Sequence, residues 1–288
     1  TATAEIYTLS LHDALPICLE GEEMSVKLEG FEGGDRTSLA LPAIQEELLK
    51  AVLATGKPVI VVLMNGSPVA SLQAEEKAAA VLLAGYPGVE GGNAVADVLF
   101  GDYNPAGRLP VTYYRSVDQL PPFDDYDMTN RTYRYFNGEP LYPFGYGLSY
   151  TTFAYSGLEM PGKDAAGSDV RVQVTVTNTG SMAGDEVVQL YLTDEKASTP
   201  RPLRQLTGFR RVRLEPGESR MVEFVIGAEQ FSIINDKEER VIEPGWFTVA
   251  VGGRQPGQNG TSEAQEAGVV SGRLKLTGKE VSISEQIN

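Results

Sequence analysis

One cysteine, Cys18, and one histidine, His12, occur in 288 residues. A lone cysteine forms no internal disulfide and builds no thiolate metal cluster. A lone histidine near the start of the chain argues against Ser-His-Asp triads, Cys-His dyads and histidine-rich metal sites. The chemistry is therefore expected from carboxylates, hydroxyls and cations, with no cofactor and no metal. No apolar run approaches the roughly 20 residues that span a bilayer, so a membrane partner is not expected. Positive charge is scarce too: 24 Lys and Arg stand against 39 Asp and Glu, a formal net charge of -15. The attraction that drives most nucleic-acid binding then has the wrong sign, which leaves neutral or cationic partners, neutral sugars among them. The chain opens on Thr1 rather than Met, and the expectation is a truncated chain whose parent's signal peptide is out of view. Periplasmic or secreted is favoured over cytoplasmic.

The length suffices for two domain cores of usual size. Residues 1–17 have no clear helical or strand period and read as a foreign or mis-assembled lead-in, so residues 1–18 are set apart. From Leu41 the chain alternates helix and strand. Leu41-Pro42 opens a helix with Ile44, Leu48, Leu49 and Val52 at 3.6-residue spacing, and Thr55-Gly56 closes it. Residues 58–64 carry the β-branched run Val59, Ile60, Val61, Val62, the mark of a strand buried on both faces of a parallel sheet. Asn65-Gly66-Ser67-Pro68 turns the chain, residues 72–78 read as a short helix, and residues 80–84 as another apolar strand. Gly91-Gly92 precedes a helix with Ala94, Val95, Val98 and Leu99 along one face. The reading is an α/β sandwich, doubly wound around a mostly parallel sheet.

Residues 116–153 are rich in Pro, Gly, Asp and aromatics, a connection long enough to be either functional or a strap packed by its own rings. The period then becomes two. Val170, Val172, Val174 and Val176 alternate with Arg171, Gln173 and Thr175; Val188, Leu190, Leu192, then Val222, Phe224, Ile226, then Phe247, Val249, Val251 repeat the pattern. Pro216-Gly217 and Pro244-Gly245 punctuate the runs. Residues 154–288 are expected to form an all-β, immunoglobulin-like or fibronectin type III-like sandwich, whose tail loops out after Gly252 before a last short strand at residues 272–276.

Glu20, Glu22, Glu23, Glu29, Glu32 and Asp35 crowd together, interleaved with Gly21, Gly30, Gly33 and Gly34. Glycines let a backbone approach a ligand closely, and loops on a rigid scaffold are where catalytic groups gather; yet charge runs are usually solvated, and composition alone favours a solvated loop. The stretch from Gly85 to Gly92 fails the spacing of GxGxxG and of a Walker loop and reads as a tight strand-to-helix turn. Asp124, Asp125 and Asp127 lack the acid spacing of an EF-hand and read as solvated. The aromatics between Tyr133 and Tyr150 could stack on sugars, but more often such rings pack a strap onto a core.

Gly34-Asp35-Arg36-Thr37 with Leu39-Ala40-Leu41-Pro42, then Gly56-Lys57-Pro58-Val59, then GYPGVEGG from Gly85, then ADVLFGDYNPAGRLP from Ala96, resemble the C-terminal α/β sandwich of glycoside hydrolase family 3, the β-glucosidase and β-xylosidase type. LYPFGYGLSYTTF from Leu141 resembles the family's junction into its fibronectin type III-like domain. Val176-Thr177-Asn178-Thr179-Gly180, DEVVQLY from Asp185 and Leu206-Thr207-Gly208-Phe209 resemble that last domain. On this resemblance residues 19–115 form the sandwich, 116–153 a strap and 154–288 the fibronectin-like domain. The resemblance also implies a retaining, exo-acting β-glycosidase whose nucleophile is an aspartate on an N-terminal barrel. No segment here resembles that barrel, so no nucleophile is expected in this chain and the fragment alone is expected to be inactive. Leu19-Glu20-Gly21-Glu22 resembles the family's acid/base element and implies Glu22 as the acid/base, with Glu20 and Glu23 as rivals. Asp35 and Arg36 are expected to brace that loop by charge-assisted hydrogen bonds. Implied partners are the barrel and an oligosaccharide or aryl β-glycoside. Two other readings stand beside this one: a stand-alone carbohydrate-binding or interaction module, and a complete small hydrolase using Glu22 and Asp35, which is disfavoured because two acids on one glycine-rich loop are poorly held at catalytic distance.

Overall fold

The β-branched run after Pro58 forms strand β4, Val59–Met64, with Val59, Val61, Val62 and Leu63 buried. The computed structural model of the protein describes residues 5–10, 31–32, 35–257 and 268–283. Side chains on both faces of a parallel strand need cover, and both of its hydrogen-bonding edges need partners. Strand β1, Glu5–Ser10, fills one edge, pairing parallel to β4 from Glu5↔Val59 to Ser10↔Met64; strand β5, Ala80–Leu83, fills the other. This corrects the expectation that residues 1–17 carry no period: Ile6, Tyr7 and Thr8 are β-favouring residues, and they build a strand that pairs with β4.

Helix α1, Ala43–Leu53, follows the short β2–β3 hairpin, Phe31–Glu32 and Asp35–Arg36. Leu49 and Val52 reach the core made by Leu41, Val59, Val61, Leu63, Val69 and Ala74. Ile44 and Leu48 do not: they are 77% and 49% exposed. Successive helical residues are rotated by about 100°, so Leu48 points well away from Leu49 and the buried stripe is narrower than the apolar spacing suggests. Helix α2, Leu72–Lys77, is capped by Ser71, whose hydroxyl accepts from the Ala74 N–H. Helix α3, Gly91–Phe100, half-buries Val95, Val98 and Leu99 while Ala94 stays exposed.

The second half is strand throughout. Strand β8, Val170–Asn178, buries Val170, Val172, Val174 and Val176 and turns Arg171, Gln173, Thr175 and Thr177 outward. It lies between β11, Ser219–Ile226, and β6, Phe153–Glu159, in an antiparallel three-stranded sheet. The other sheet runs β10 (Gln205–Leu214), β9 (Gly184–Asp194), β14 (Gly245–Gly252), β15 (Val269–Thr277), β7 (Lys163–Ala165), antiparallel except for β15–β7. One core joins the two sheets, with Val222, Phe224 and Ile226 meeting Val188, Leu190, Leu192, Phe247, Val249, Val251, Leu274 and Leu276. Each such side chain contributes about 1.5–3 kcal/mol when fully buried. The strand expected at residues 272–276 is longer, because Val269 and Val270 pair with Gly252 and Val251. Short strands β12, β13 and β16 (Ile233–Ile234, Arg240–Ile242, Val281–Ser282) form a third small sheet.

Two compact units result. The first holds Thr1–Tyr103, Thr112–Phe123 and Glu139–Leu141; the second holds Asn104–Val111, Asp124–Gly138 and Tyr142–Asn288. The aromatic strap is thus shared out between them by sequence.

Candidate functional site

Glu20, Glu22 and Glu23 lie outside the described residues. What is described is the element that follows them. Asp35 pairs with Glu32 through the hairpin backbone; its side chain lies outside the description. Arg36 reaches the turn at the carboxyl end of β4, where Nη1 donates to Ser67 Oγ at 2.9 Å and to the Pro68 carbonyl at 3.0 Å. Its Nη2 is buried and makes no hydrogen bond. Burial pushes the Arg36 pKa down, and the neighbouring Tyr86 works against that shift.

The same turn is held from within. Asn65 is buried and its Nδ2 donates to the Ser67 carbonyl at 2.7 Å. The ring of Tyr86 lies against Gly66 so closely that an added Cβ would sit 2.4 Å from Cε2. A side chain at this position would have to displace the exposed Tyr86 ring. Burial raises the Tyr113 pKa, opposed by a hydrogen bond with Asn65. Ligands of parallel α/β sheets sit beyond the carboxyl ends of the strands, and Arg36, Asn65, Ser67, Tyr86 and Tyr113 fix the backbone at one such end. The sequence marked Asn65-Gly66-Ser67-Pro68 only as a turn; a polar Asn closing an apolar run was the signal for more.

In the second unit the strap aromatics are paired with one another. Tyr133 stacks on Phe144 at 4.1 Å and meets Tyr191 edge-on at 6.4 Å; Tyr142 stacks on Tyr146 at 5.3 Å. Asp125 and Asp127 accept backbone N–H bonds from Asp127 and Thr129 and shape a turn. Among the described residues no group of three or more His, Cys, Asp or Glu is placed to hold a metal ion.

Two buried polar clusters went unread in the sequence. Arg108 Nη2 donates to Glu186 Oε1 at 2.8 Å, and its other nitrogens donate to the carbonyls of Ala106, Gly107 and Gly253. The two side chains are 9% and 5% exposed. Burial raises the Glu186 pKa more than Arg108 and the Val187 N–H lower it. The Tyr155 hydroxyl beside them is buried without a hydrogen bond, and burial first, then Glu186, pushes its pKa up. On the outer face of β9, Tyr191 donates to Gln189 Oε1 at 2.6 Å, and Gln189 Nε2 donates to the carbonyls of Gly145 and Gly253, both at 3.0 Å.

Residues 9–150 match the model of the glycosyl hydrolase family 3 C-terminal domain, and residues 186–255 match that of the fibronectin type III-like domain. The chain belongs to glycosyl hydrolase family 3. Its relatives in that family include a xylan 1,4-beta-xylosidase of Xylanibacter ruminicola, 51% identical over 70% of this chain and 23% of the relative. A periplasmic beta-glucosidase of Salmonella typhimurium is 46% identical over 77% of this chain and 31% of the relative. The chain therefore spans less than a third of the length of either. Among solved structures, a beta-glucosidase of Erythrobacter marinus superposes with a TM-score of 0.75 at 37% identity, over 95% of this chain and 34% of that one. A beta-glucosidase of Listeria innocua in complex with glucose gives 0.76 at 31%, over 96% and 37%. Within this family 3 chain, Arg108 of the PAGRLP stretch and Glu186 of DEVVQLY, far apart in sequence, are the two ends of one buried ion pair.

Proposed function

We propose that this chain is the acid/base-bearing C-terminal part of a retaining, exo-acting β-glycosidase of the β-glucosidase or β-xylosidase type. The observation that carries the reading is the identity of 51% and 46% to a β-xylosidase and a β-glucosidase across most of the chain. The parallel order β1-β4-β5 with helices between β4 and β5 and after β5 supports a doubly wound layer as the scaffold.

In the proposed mechanism an aspartate of an upstream barrel attacks the anomeric carbon while Glu22 protonates the leaving oxygen. Glu22 then deprotonates the water that releases the sugar. The two carboxyl groups of a retaining enzyme stand about 5–5.5 Å apart, so the Glu22 loop must be held firmly. Arg36, tied to Ser67 and Pro68, supports a bracing role for the element downstream of Glu22. Asp35 is its proposed companion. Glu20 and Glu23 are the alternative acid/bases.

The test is the full-length enzyme and its Glu22→Gln variant on aryl β-glucoside and β-xyloside. Loss of most activity, with azide restoring part of it on activated substrates, assigns the acid/base to Glu22. Unchanged activity moves the role to Glu20 or Glu23. Sugar binding without turnover by a full-length protein would favour a carbohydrate-binding module instead.

A further inference from the structure

On the outer face of the five-stranded sheet, Lys163 of β7, Lys275 of β15 and Trp246 of β14 are register partners. Paired residues on neighbouring strands share a face, and Leu274 and Leu276 take the opposite, buried face of β15. The three side chains therefore form one row across the sheet. Trp246 is the only tryptophan of the chain and is 39% exposed. Arg273 lies over its ring at 4.3 Å and is neutralised by Glu195 through Nε–Oε1 and Nη2–Oε2 contacts of 2.8 and 2.5 Å. Lys275 Nζ stands 5.5 Å from the same ring centroid.

Lys163 and Lys275 have no acidic partner among the described residues. Like charges directly opposite each other on a sheet destabilise it. In a chain of net charge -15, acids to neutralise two lysines are plentiful, yet this pair stands unneutralised beside an aromatic ring.

We propose that the Lys163–Lys275–Trp246 row is an accessory site for a glycan bearing uronic acid, with the sugar carboxylate between the two ammonium groups and the indole as its apolar wall. A carboxylate bound by ammonium groups makes charge-assisted hydrogen bonds, and the indole supplies apolar surface for the C–H groups of a pyranose. Charge spacing selects the ligand. Beyond a Debye length of about 8 Å the chain's other acids are largely screened, so an isolated carboxylate senses the local lysines. A densely charged nucleic acid spans many such lengths and is repelled. The choice of a glycan rests on the proposed glycosidase reading; the site itself needs no turnover, so binding and catalysis fail separately.

Because Trp246 is the sole tryptophan, its fluorescence reports this site alone. The full chain is titrated with a xylo-oligosaccharide carrying one glucuronic acid branch, with the unbranched neutral oligosaccharide, and with single-stranded DNA. The expected result is a saturable change with the acidic sugar and binding of the neutral one weaker by about tenfold or more, the worth of one hydrogen bond to a charged group. Lys163→Ala/Lys275→Ala, folded by circular dichroism, is expected to bind the acidic sugar no better than the neutral one. Equal binding of both sugars, an unaffected double variant, no response to the acidic sugar, or tighter binding of DNA overturns the proposal. A Glu22→Gln enzyme that has lost hydrolysis is expected to keep this response.

Discussion

Arg108 and Glu186 form an ion pair buried within the second unit. Glu186 has a pKa raised by burial despite the guanidinium beside it. A carboxylate whose folded pKa lies above its unfolded value of 4.5 contributes stability that is fully present below that value and is lost as pH rises through the folded one. Arg108 limits that loss at neutral pH. Arg108→Ala leaves an uncompensated buried charge, which costs about 3–5 kcal/mol. Urea unfolding followed by Trp246 fluorescence should show a deficit of this size near about pH 7 and a clearly smaller one near about pH 5, where the stranded carboxyl takes up a proton. A deficit that does not change with pH would mean that Arg108 acts through packing rather than charge.

At the scale of elements, the strap is held by one glycine with a left-handed backbone. Gly145 has φ +76°, and a Cβ there would meet Gln189 Oε1 at 2.2 Å and the Tyr191 hydroxyl at 3.0 Å. Left-handed backbone costs an L-residue about 1–2 kcal/mol and overpacking about 1–3 more. Gly145→Ala is therefore expected to lower the stability of the second unit by about 3 kcal/mol, seen as a fall in the urea midpoint with little change in its slope. The same elements mark what a sequence discloses. Strand β8 was legible because one face meets the core and the other meets water, so its valines alternate with polar residues. Strand β9 was legible by the same alternation of Val188, Leu190 and Leu192, but the cover on its second face was not: Gln189 and Tyr191 are buried, and nothing in their own neighbourhood announces the distant Gly145 and Gly253 that satisfy them. In helix α1 the apolar spacing was visible, but spacing alone cannot say that Ile44 and Leu48 stay outside. The anchor of Arg36 was not legible, since Ser67 and Pro68 lie 31 and 32 residues on.

For the whole molecule, the proposed chemistry needs a nucleophile from a segment beyond these 288 residues. The chain alone is expected to release little or no aryl alcohol from aryl β-glucoside or β-xyloside, while keeping the circular dichroism of a folded sheet protein; rapid turnover by the purified chain would sink the two-segment mechanism. The division into units has a further consequence. Followed from the start, the chain changes units at residues 103–104, 111–112, 123–124, 138–139 and 141–142. A cut before Phe153, where the repeating strands begin, would leave Glu186 without Arg108 and Gln189 without the Gly145 carbonyl. The fibronectin-like half is therefore not a cassette that starts at its first strand: a single crossover that carries it whole has to fall before Asn104, and it takes residues 112–123 and 139–141 of the first unit along.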